Sequence, residues 1–184
     1  MNQENNKNDR VKNGGSKLTT NKEVFHKWIK KEDTGPLVIE VGVTYGCNQD
    51  CVHCSFQQFK KYDHYDFIHR ESFLDFLDDF KEMGGIEVYF AGNGEPLLHP
   101  NICEFFEYGN KIGLDMSMST NGVPLTQEMA ERILPNAKWI NISISGGNVK
   151  TYSKIHKCPD SEFYEVIENI KSGFVLSFLC EKLS

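Results

Sequence analysis

The chain alternates between strand-like and helix-like segments four times after Pro36, and this alternation restricts it to β/α folds. Strand patterns lie near 37–44, 86–91, 114–119 and 139–145, and an apolar stripe at helical spacing follows each of them. In such a repeat the strands run parallel, and each helix covers the sheet with its apolar side. The sequence therefore predicts an α/β fold built on a parallel sheet.

The predicted strands alternate between apolar residues and small or polar ones. A parallel strand that is covered by helices on both faces is apolar almost throughout, which does not hold here. In the third strand two apolar positions alternate with three polar ones: Met116 and Met118 against Asp115, Ser117 and Ser119. This pattern favours a partial (β/α) barrel, with helices outside and a wet interior. A doubly wound open sheet with a few tolerated polar residues is the alternative.

Composition divides the chain into three parts. Residues 1–20 carry almost no apolar side chains, which predicts a disordered polar tail. Between 21 and 35, apolar residues at helical spacing precede a Gly-Pro pair, so we expect a short N-terminal helix and linker. The core domain then occupies 36–184.

The C-terminal segment raises the question of whether the core domain is complete. A helix should end near Ser172, and 173–184 is apolar enough to begin a fifth strand. We therefore expect a core that is truncated after about four β/α units, with an open sheet edge, incomplete folding and poor turnover. A partner subunit that completes the barrel is the alternative.

Charge and hydropathy exclude several classes of partner. The 26 acidic and 20 basic residues give a net charge of −6, which offers no cationic field for nucleic acid. We find neither a signal peptide nor an apolar run of about 18 residues, so we expect a cytoplasmic protein without a membrane partner. In that setting, cysteines point to metal binding or catalysis rather than to disulfides.

Three of the six cysteines lie on one short loop after the first strand, as Cys47, Cys51 and Cys54. Three thiolates at the carboxyl end of a strand can hold one metal site. Zinc needs a fourth ligand, for which His53 and His64 are candidates, and a thioredoxin-like Cys51–Cys54 pair is another possibility. A four-iron cluster on three cysteines differs in leaving one iron open. The spacing alone leaves these alternatives open.

This spacing after a first strand resembles the radical S-adenosylmethionine (radical SAM) superfamily. Gly92–Pro96 is similar to its Gly-Gly-Glu segment, with Asn93 in place of the first of the two glycines. Ser119–Gly122 and Ser143–Gly146 would end the third and fourth strands on the same rim. The resemblance covers about 37–172, within the error of such boundaries. It is nearest to the peptide- and metabolite-modifying branch with downstream SPASM-type domains.

The resemblance implies an enzyme with a [4Fe–4S] cluster on Cys47, Cys51 and Cys54 that reductively cleaves S-adenosylmethionine. The resulting 5′-deoxyadenosyl radical would abstract hydrogen from a peptide or small-molecule substrate, with electrons from a donor such as flavodoxin or ferredoxin. One alternative is an inactive or partner-dependent fragment of such an enzyme. The other is a zinc or iron–sulfur protein without radical chemistry.

The segment after the second strand supplies the first candidate contacts to S-adenosylmethionine. By the resemblance, Glu95 would pair with the ammonium group of the cofactor. The backbone of Gly92, Asn93 and Gly94 would lie beside the cofactor, and the two glycines can approach it closely because they have no Cβ. A solvated turn acid is the alternative for Glu95.

Four more residues are candidate cofactor contacts. His53 occupies a position where the family has an aromatic ring near adenine, although it could be an ordinary loop residue. Asn121, Ser143 and Ser145 could hydrogen-bond the ribose hydroxyls, or could simply cap the strand ends.

Other conspicuous residues are assigned to structure rather than to the site. Cys103 lies among apolar residues of a helix and is expected to act as a small hydrophobe, and Cys158 is expected to be a loop thiol. Trp28 and Trp139 are expected to be packing residues.

Overall fold

The computed structural model describes residues 21–56 and 66–183, so the predicted tail and His64 lie outside the described residues. In this part of the chain four strands form one sheet, in the order β1-β2-β3-β4 with every neighbouring pair parallel. The prediction of a parallel α/β sheet is confirmed. Within the described ranges β1 and β4 each pair with one neighbour, so the sheet is open. The strands are β1 (Val38–Val41), β2 (Glu87–Phe90), β3 (Asp115–Thr120) and β4 (Ala137–Ile142).

Helices connect the strands, and several begin at a residue that caps them. Asn21, Thr126 and Asn148 each accept a hydrogen bond from the backbone N–H three residues later, at 3.1, 3.2 and 3.0 Å. In the described part of the chain, no helix is long and apolar enough to cross a membrane. The helices are α1 (Lys22–Ile29), α2 (Arg70–Glu82), α3 (Ile102–Lys111), α4 (Gln127–Ile133), α5 (Val149–His156) and α6 (Ser161–Leu183).

The core lies between one face of the sheet and helices α2 to α4. Phe90 and Met118 are partners in the β2–β3 register, and both are fully buried on that face. Phe73 of α2 and Phe105 of α3 cover them, with ring centroids 4.6 Å apart. Burial of this apolar surface is the main contribution to the stability of the domain.

The opposite face of the sheet is polar, as the strand alternation predicts. Buried Glu87 accepts hydrogen bonds from Ser117 Oγ at 2.6 Å and from Trp139 Nε1 at 2.8 Å. The Trp139 ring lies 4.9 Å from that of Tyr89 and is 42% exposed. Trp139 therefore packs on a neighbouring ring, but it does so on the inner face of the sheet rather than in the core. Its place there follows from its position in the strand, because Trp139 shares the period of the polar residues.

The end of the fourth strand and the helix after it differ from prediction. The strand ends at Ile142, not at 145, because the N–H of Ile144 bonds the carbonyl of Ile142 at 3.1 Å in a tight turn. Ser143 and Ser145 thus lie beyond the strand. Helix α5 comes next along the chain and was not predicted.

The prediction of a fifth strand over 173–184 is wrong. Helix α6 begins at Ser161 and continues through this segment to Leu183. A short apolar run does not distinguish strand from helix by its period, and no turn residues separate this run from the helix before it. A single glycine, Gly173, lowers helix stability by only about 1 kcal/mol and does not stop it.

Candidate functional site

Loops at the carboxyl ends of the four strands meet at one edge of the sheet. We call residues 44–54, which follow β1, the cysteine loop. The N–H of Glu95, after β2, donates to the carbonyl of Gly46 at 2.7 Å, and Asn121 Nδ2, after β3, donates to Asn48 Oδ1 at 2.7 Å. The predicted convergence of the motifs on one rim is confirmed for these three strands by direct contacts.

Gly94 is the point of closest approach between the second strand and the cysteine loop. Its φ of +73° is one that residues with a Cβ rarely adopt. A Cβ on Gly94 would overlap the carbonyl oxygen of Gly46 and would lie 2.5 Å from that of Thr44. Only glycine permits this packing of backbone against backbone.

Gly94→Ala is expected to lower the free energy of unfolding by about 3 kcal/mol, because a left-handed φ and an overpacked contact both oppose it. Gly84→Ala is the matched control, since Gly84 has a φ of +90° and nothing within 4 Å of a built Cβ. The control should cost only the strain of the backbone, about 1 kcal/mol. Urea unfolding of both variants measures this, and equal losses would contradict the close approach at Gly94.

The three cysteines of the loop are partly exposed and lie at the same rim. Among residues 21–56 and 66–183, no three His, Cys, Asp or Glu side chains converge closely enough to hold one metal ion. A structural zinc ion requires four ligands around a single point, whereas a four-iron cluster spreads its thiolates over different irons. Three thiols on one loop match the donor set of a four-iron cluster that leaves one iron open, whereas zinc would need a fourth ligand.

Hydrogen bonds from the backbone fix the middle of the cysteine loop to α5. The N–H of Asp50 donates to the carbonyl of His156 at 3.1 Å, and the N–H of Val52 donates to that of Ile155 at 2.8 Å. Lys157 Nζ lies 3.5 Å from Asp50 Oδ2. A loop held on both sides of Cys51 can present its thiolates with little rearrangement, which lowers the entropic cost of binding a group there.

Glu95 is a buried carboxylate, 3% exposed, so the alternative of a solvated turn acid is wrong. Its oxygens accept from Leu97 N at 3.0 Å, Thr120 Oγ1 at 2.5 Å and Asn121 N at 2.8 Å. These bonds tie the end of β2 to the end of β3. Burial raises the pKa of the Glu95 carboxyl above its ordinary value, although the hydrogen bonds oppose that shift.

The remaining candidate residues lie in the cysteine loop and just after β3 and β4. Asn121 is buried, and its Oδ1 accepts from Val123 N at 3.0 Å, so it caps the end of β3 as well as bonding the cysteine loop. His53 is exposed, with its ring 6.2 Å from that of His156. Ser143 and Ser145 are exposed, and their backbone N–H groups donate to Thr120 O and His156 Nε2.

Gly92 and Asn93 are accessible at the rim. Gly92 is exposed with a φ of +90°, and Asn93 is half-buried beside it.

Two cysteines outside the loop are poorly suited to chemistry. Cys103 is buried, as expected of a small hydrophobe. Cys158 is half-buried, and burial together with the nearby Glu162 raises its thiol pKa to about 12, so it is an inert thiol at neutral pH.

Sequence reasoning missed the side chains that surround Cys51. Gln49, Tyr152 and His156 are buried and hydrogen-bonded or stacked to one another, although Gln49 is more than a hundred residues from the other two. No local pattern links positions so far apart. The one local signal is the polar Gln49 between two cysteines, which a solvated loop also explains.

Comparisons with known proteins identify relatives of this chain. The chain is 30% identical over 125 residues to the AdoMet-dependent heme synthase of Methanosarcina barkeri, covering 67% of this chain and 35% of that one. It is 31% identical over 112 residues to the mycofactocin maturase MftC of Mycobacterium tuberculosis, covering 60% and 27%. The chain thus spans about a third or less of the length of these curated relatives.

Solved structures share the fold. SuiB of Streptococcus suis, bound to S-adenosylmethionine, matches with a TM-score of 0.65 at 13% identity, covering 84% of this chain and 36% of that one. The same protein bound to its precursor peptide SuiA matches with a TM-score of 0.59 at 13% identity, covering 80% and 33%. The prediction of a partial barrel of this type, with an open sheet, is confirmed. A family profile described as the Radical SAM superfamily matches residues 41–175, well over half of the chain, and the protein belongs to that superfamily.

Proposed function

We propose that this chain is the cofactor-binding part of a radical SAM enzyme, with a [4Fe–4S] cluster on Cys47, Cys51 and Cys54. Members of the superfamily are enzymes that use this cluster and S-adenosylmethionine. The observation that carries the proposal is the convergence of the cysteine loop with the loops after β2 and β3 at one rim. The domain division proposed with it is a tail at 1–20, a helix and linker at 21–35 and the core at 36–184.

The chain's own groups would hold and orient the cofactors. When bound, the reduced cluster and S-adenosylmethionine together supply a 5′-deoxyadenosyl radical that abstracts hydrogen. The three thiolates of the cysteine loop would retain the cluster, and the loop's backbone bonds to Glu95 and to α5 would keep them in place. Glu95 would contribute negative charge near the cofactor's ammonium group, and the backbone at Gly92 and Gly94 leaves room for close approach.

The polar face of the sheet suits a polar substrate. Tyr89 OH lies 2.6 Å from Ser119 Oγ, and Asn141 Nδ2 donates to the same oxygen at 3.1 Å. Hydroxyl and amide groups at this wall can exchange bonds with the backbone or side chains of a substrate. We propose a peptide as the substrate, with a small molecule as the second choice. Support comes from the complex of SuiB with its precursor peptide and from the maturase named among the relatives.

Other partners follow from charge and from the chemistry proposed. The cluster needs a reduced electron donor, for which a flavodoxin or ferredoxin is suited. With a net charge of −6 we expect no nucleic acid partner. We propose a cytoplasmic location, where thiols stay reduced and available to the cluster.

The proposed activity is tested by the formation of 5′-deoxyadenosine. The full chain, reconstituted anaerobically with iron and sulfide, should release 5′-deoxyadenosine from S-adenosylmethionine when dithionite is added, although at low turnover. Cys51→Ala protein treated in the same way is the control and should release none. Release that is equal in both proteins, or absent from native protein that carries a full cluster, would contradict the proposed activity.

A further inference from the structure

A buried imidazole lies against one of the three cysteines of the loop. His156 is 1% exposed, and its Nδ1 lies 3.2 Å from Cys51 Sγ and 2.8 Å from Gln49 Oε1. The contact joins the last residue of α5 to the centre of the cysteine loop. None of the roles in the proposed function uses this side chain.

The hydrogen-bond partners of the two ring nitrogens determine which nitrogen of His156 carries the proton. At one end the backbone N–H of Ser145 donates to His156 Nε2 at 3.2 Å, so Nε2 must present a lone pair. At the other end Gln49 Nε2 donates to Glu162 Oε2 at 2.8 Å, which turns Gln49 Oε1 towards the imidazole. A neutral imidazole has one N–H. The proton is therefore on Nδ1, the nitrogen that faces Cys51.

Packing holds the ring in this orientation. The Tyr152 ring is stacked on it with centroids 4.2 Å apart, and Gln49 Nε2 also donates to Tyr152 OH at 2.9 Å. The backbone of His156 is itself bonded to Asp50 of the cysteine loop. Rotation of the imidazole would break bonds at both nitrogens inside a buried site, at a cost of about 1–3 kcal/mol for each unpaired group.

We propose that His156 is a positioning residue of the cofactor site, whose Nδ1–H donates to the Cys51 thiolate and raises the reduction potential of the cluster held there. The inference rests on the proposed function, since it requires a cluster on Cys51. A ligating thiolate can only accept a hydrogen bond, and a donor to it favours the reduced cluster because that state carries more negative charge. Gln49 Oε1 competes for the same N–H.

Redox titration of the reconstituted full chain, followed by EPR, tests the role of the donor. His156→Phe keeps a ring against Tyr152 but removes both nitrogens. The equilibrium constant for its one-electron reduction should fall about tenfold. This fall makes the midpoint potential more negative by about 59 mV. His156→Asn restores an amide donor near the position of Nδ1, and its potential should lie closer to that of native protein.

A second variant, Gln49→Met, should shift the midpoint potential in the opposite direction. Gln49→Met removes the competing acceptor and leaves the Nδ1–H to Cys51, so the midpoint potential should rise. His99→Gln is the control, because this buried histidine bonds Ile68 O and Asn101 N and should leave the potential unchanged. His156→Phe could fold but hold too little iron to titrate. In that case the rise in potential of Gln49→Met and the near-native potential of His156→Asn test the role of His156.

The outcomes separate this inference from the proposed function. Native potentials in both His156→Phe and Gln49→Met, or shifts of the same sign in both, would overturn the role of His156 while leaving the cluster assignment intact. Native protein that binds no iron and sulfide would instead overturn the proposed function, before any potential is compared.

Discussion

Replacement of Cys47, Cys51 or Cys54 by alanine is expected to abolish cluster binding, since two remaining thiolates cannot hold a four-iron cube firmly. Iron and acid-labile sulfide should fall to the level of protein that has not been reconstituted. The fold should survive, because all three side chains are partly exposed and belong to a loop rather than to the core. Iron, sulfide and circular dichroism of each variant after anaerobic reconstitution measure these effects.

Cys103→Ala is the matched control for the loop cysteines. Cys103 is buried in α3 among apolar side chains, and burial raises the pKa of its thiol, so it is poorly suited to ligate a metal. This variant should retain its iron and sulfide. Loss of iron from the Cys103 variant together with full loading of the Cys51 variant would show that the cluster has been assigned to the wrong residues.

Glu95→Gln is expected to weaken S-adenosylmethionine binding at least tenfold and to lower the free energy of unfolding by about 1–3 kcal/mol. The loss of affinity follows from removing a negative charge near the proposed ammonium contact. The loss of stability follows because the new amide group must face one of the three donors that now meet the carboxylate. Iron content should not change, since Glu95 is not among the proposed ligands.

Titration of the reconstituted protein with S-adenosylmethionine and urea unfolding separate the two effects of Glu95→Gln. Glu128→Gln, at an exposed position on α4, is the control and should change neither. An unchanged affinity with reduced stability would restrict Glu95 to joining the ends of β2 and β3.

The raised pKa of the Glu95 carboxyl should also make the free energy of unfolding depend on pH. Because its pKa in the folded protein is raised above the ordinary 4.5, its contribution to stability is fully present below that value and is lost as pH rises through the folded pKa. The stability advantage of native protein over Glu95→Gln should therefore be larger in acid than at neutral pH. Urea midpoints of both proteins across that window measure it, and an advantage that grows with pH would contradict the burial effect.

The fold was largely predictable because its main signals are local. Strand–helix alternation indicated the parallel sheet, and the alternation within each strand indicated one apolar and one polar face. The errors fall where local signals are ambiguous. The apolar run after Gly173 has no turn before it and continues α6, and the turn at Ile144 ends β4 at Ile142, three residues before its predicted end at 145.

The candidate site was predictable only in part. The spacing of the cysteines is a local signal, and it was enough to propose a metal site. The Glu95 carboxylate is hydrogen-bonded by Leu97, Thr120 and Asn121, and the contact of His156 with Cys51 spans 105 positions. Such contacts are created by packing of α5 and β3 against the loops, which no single segment of sequence encodes.

The most direct test of the account is the EPR spectrum of the reduced, reconstituted chain before and after S-adenosylmethionine is added. A cluster with one open iron should give a [4Fe–4S]⁺ signal whose g values change on addition of the cofactor, because the cofactor binds that iron. This change is expected in native protein and should be absent from Cys51→Ala. Tightly bound zinc without sulfide, or a cluster signal that S-adenosylmethionine leaves unaltered, would contradict it.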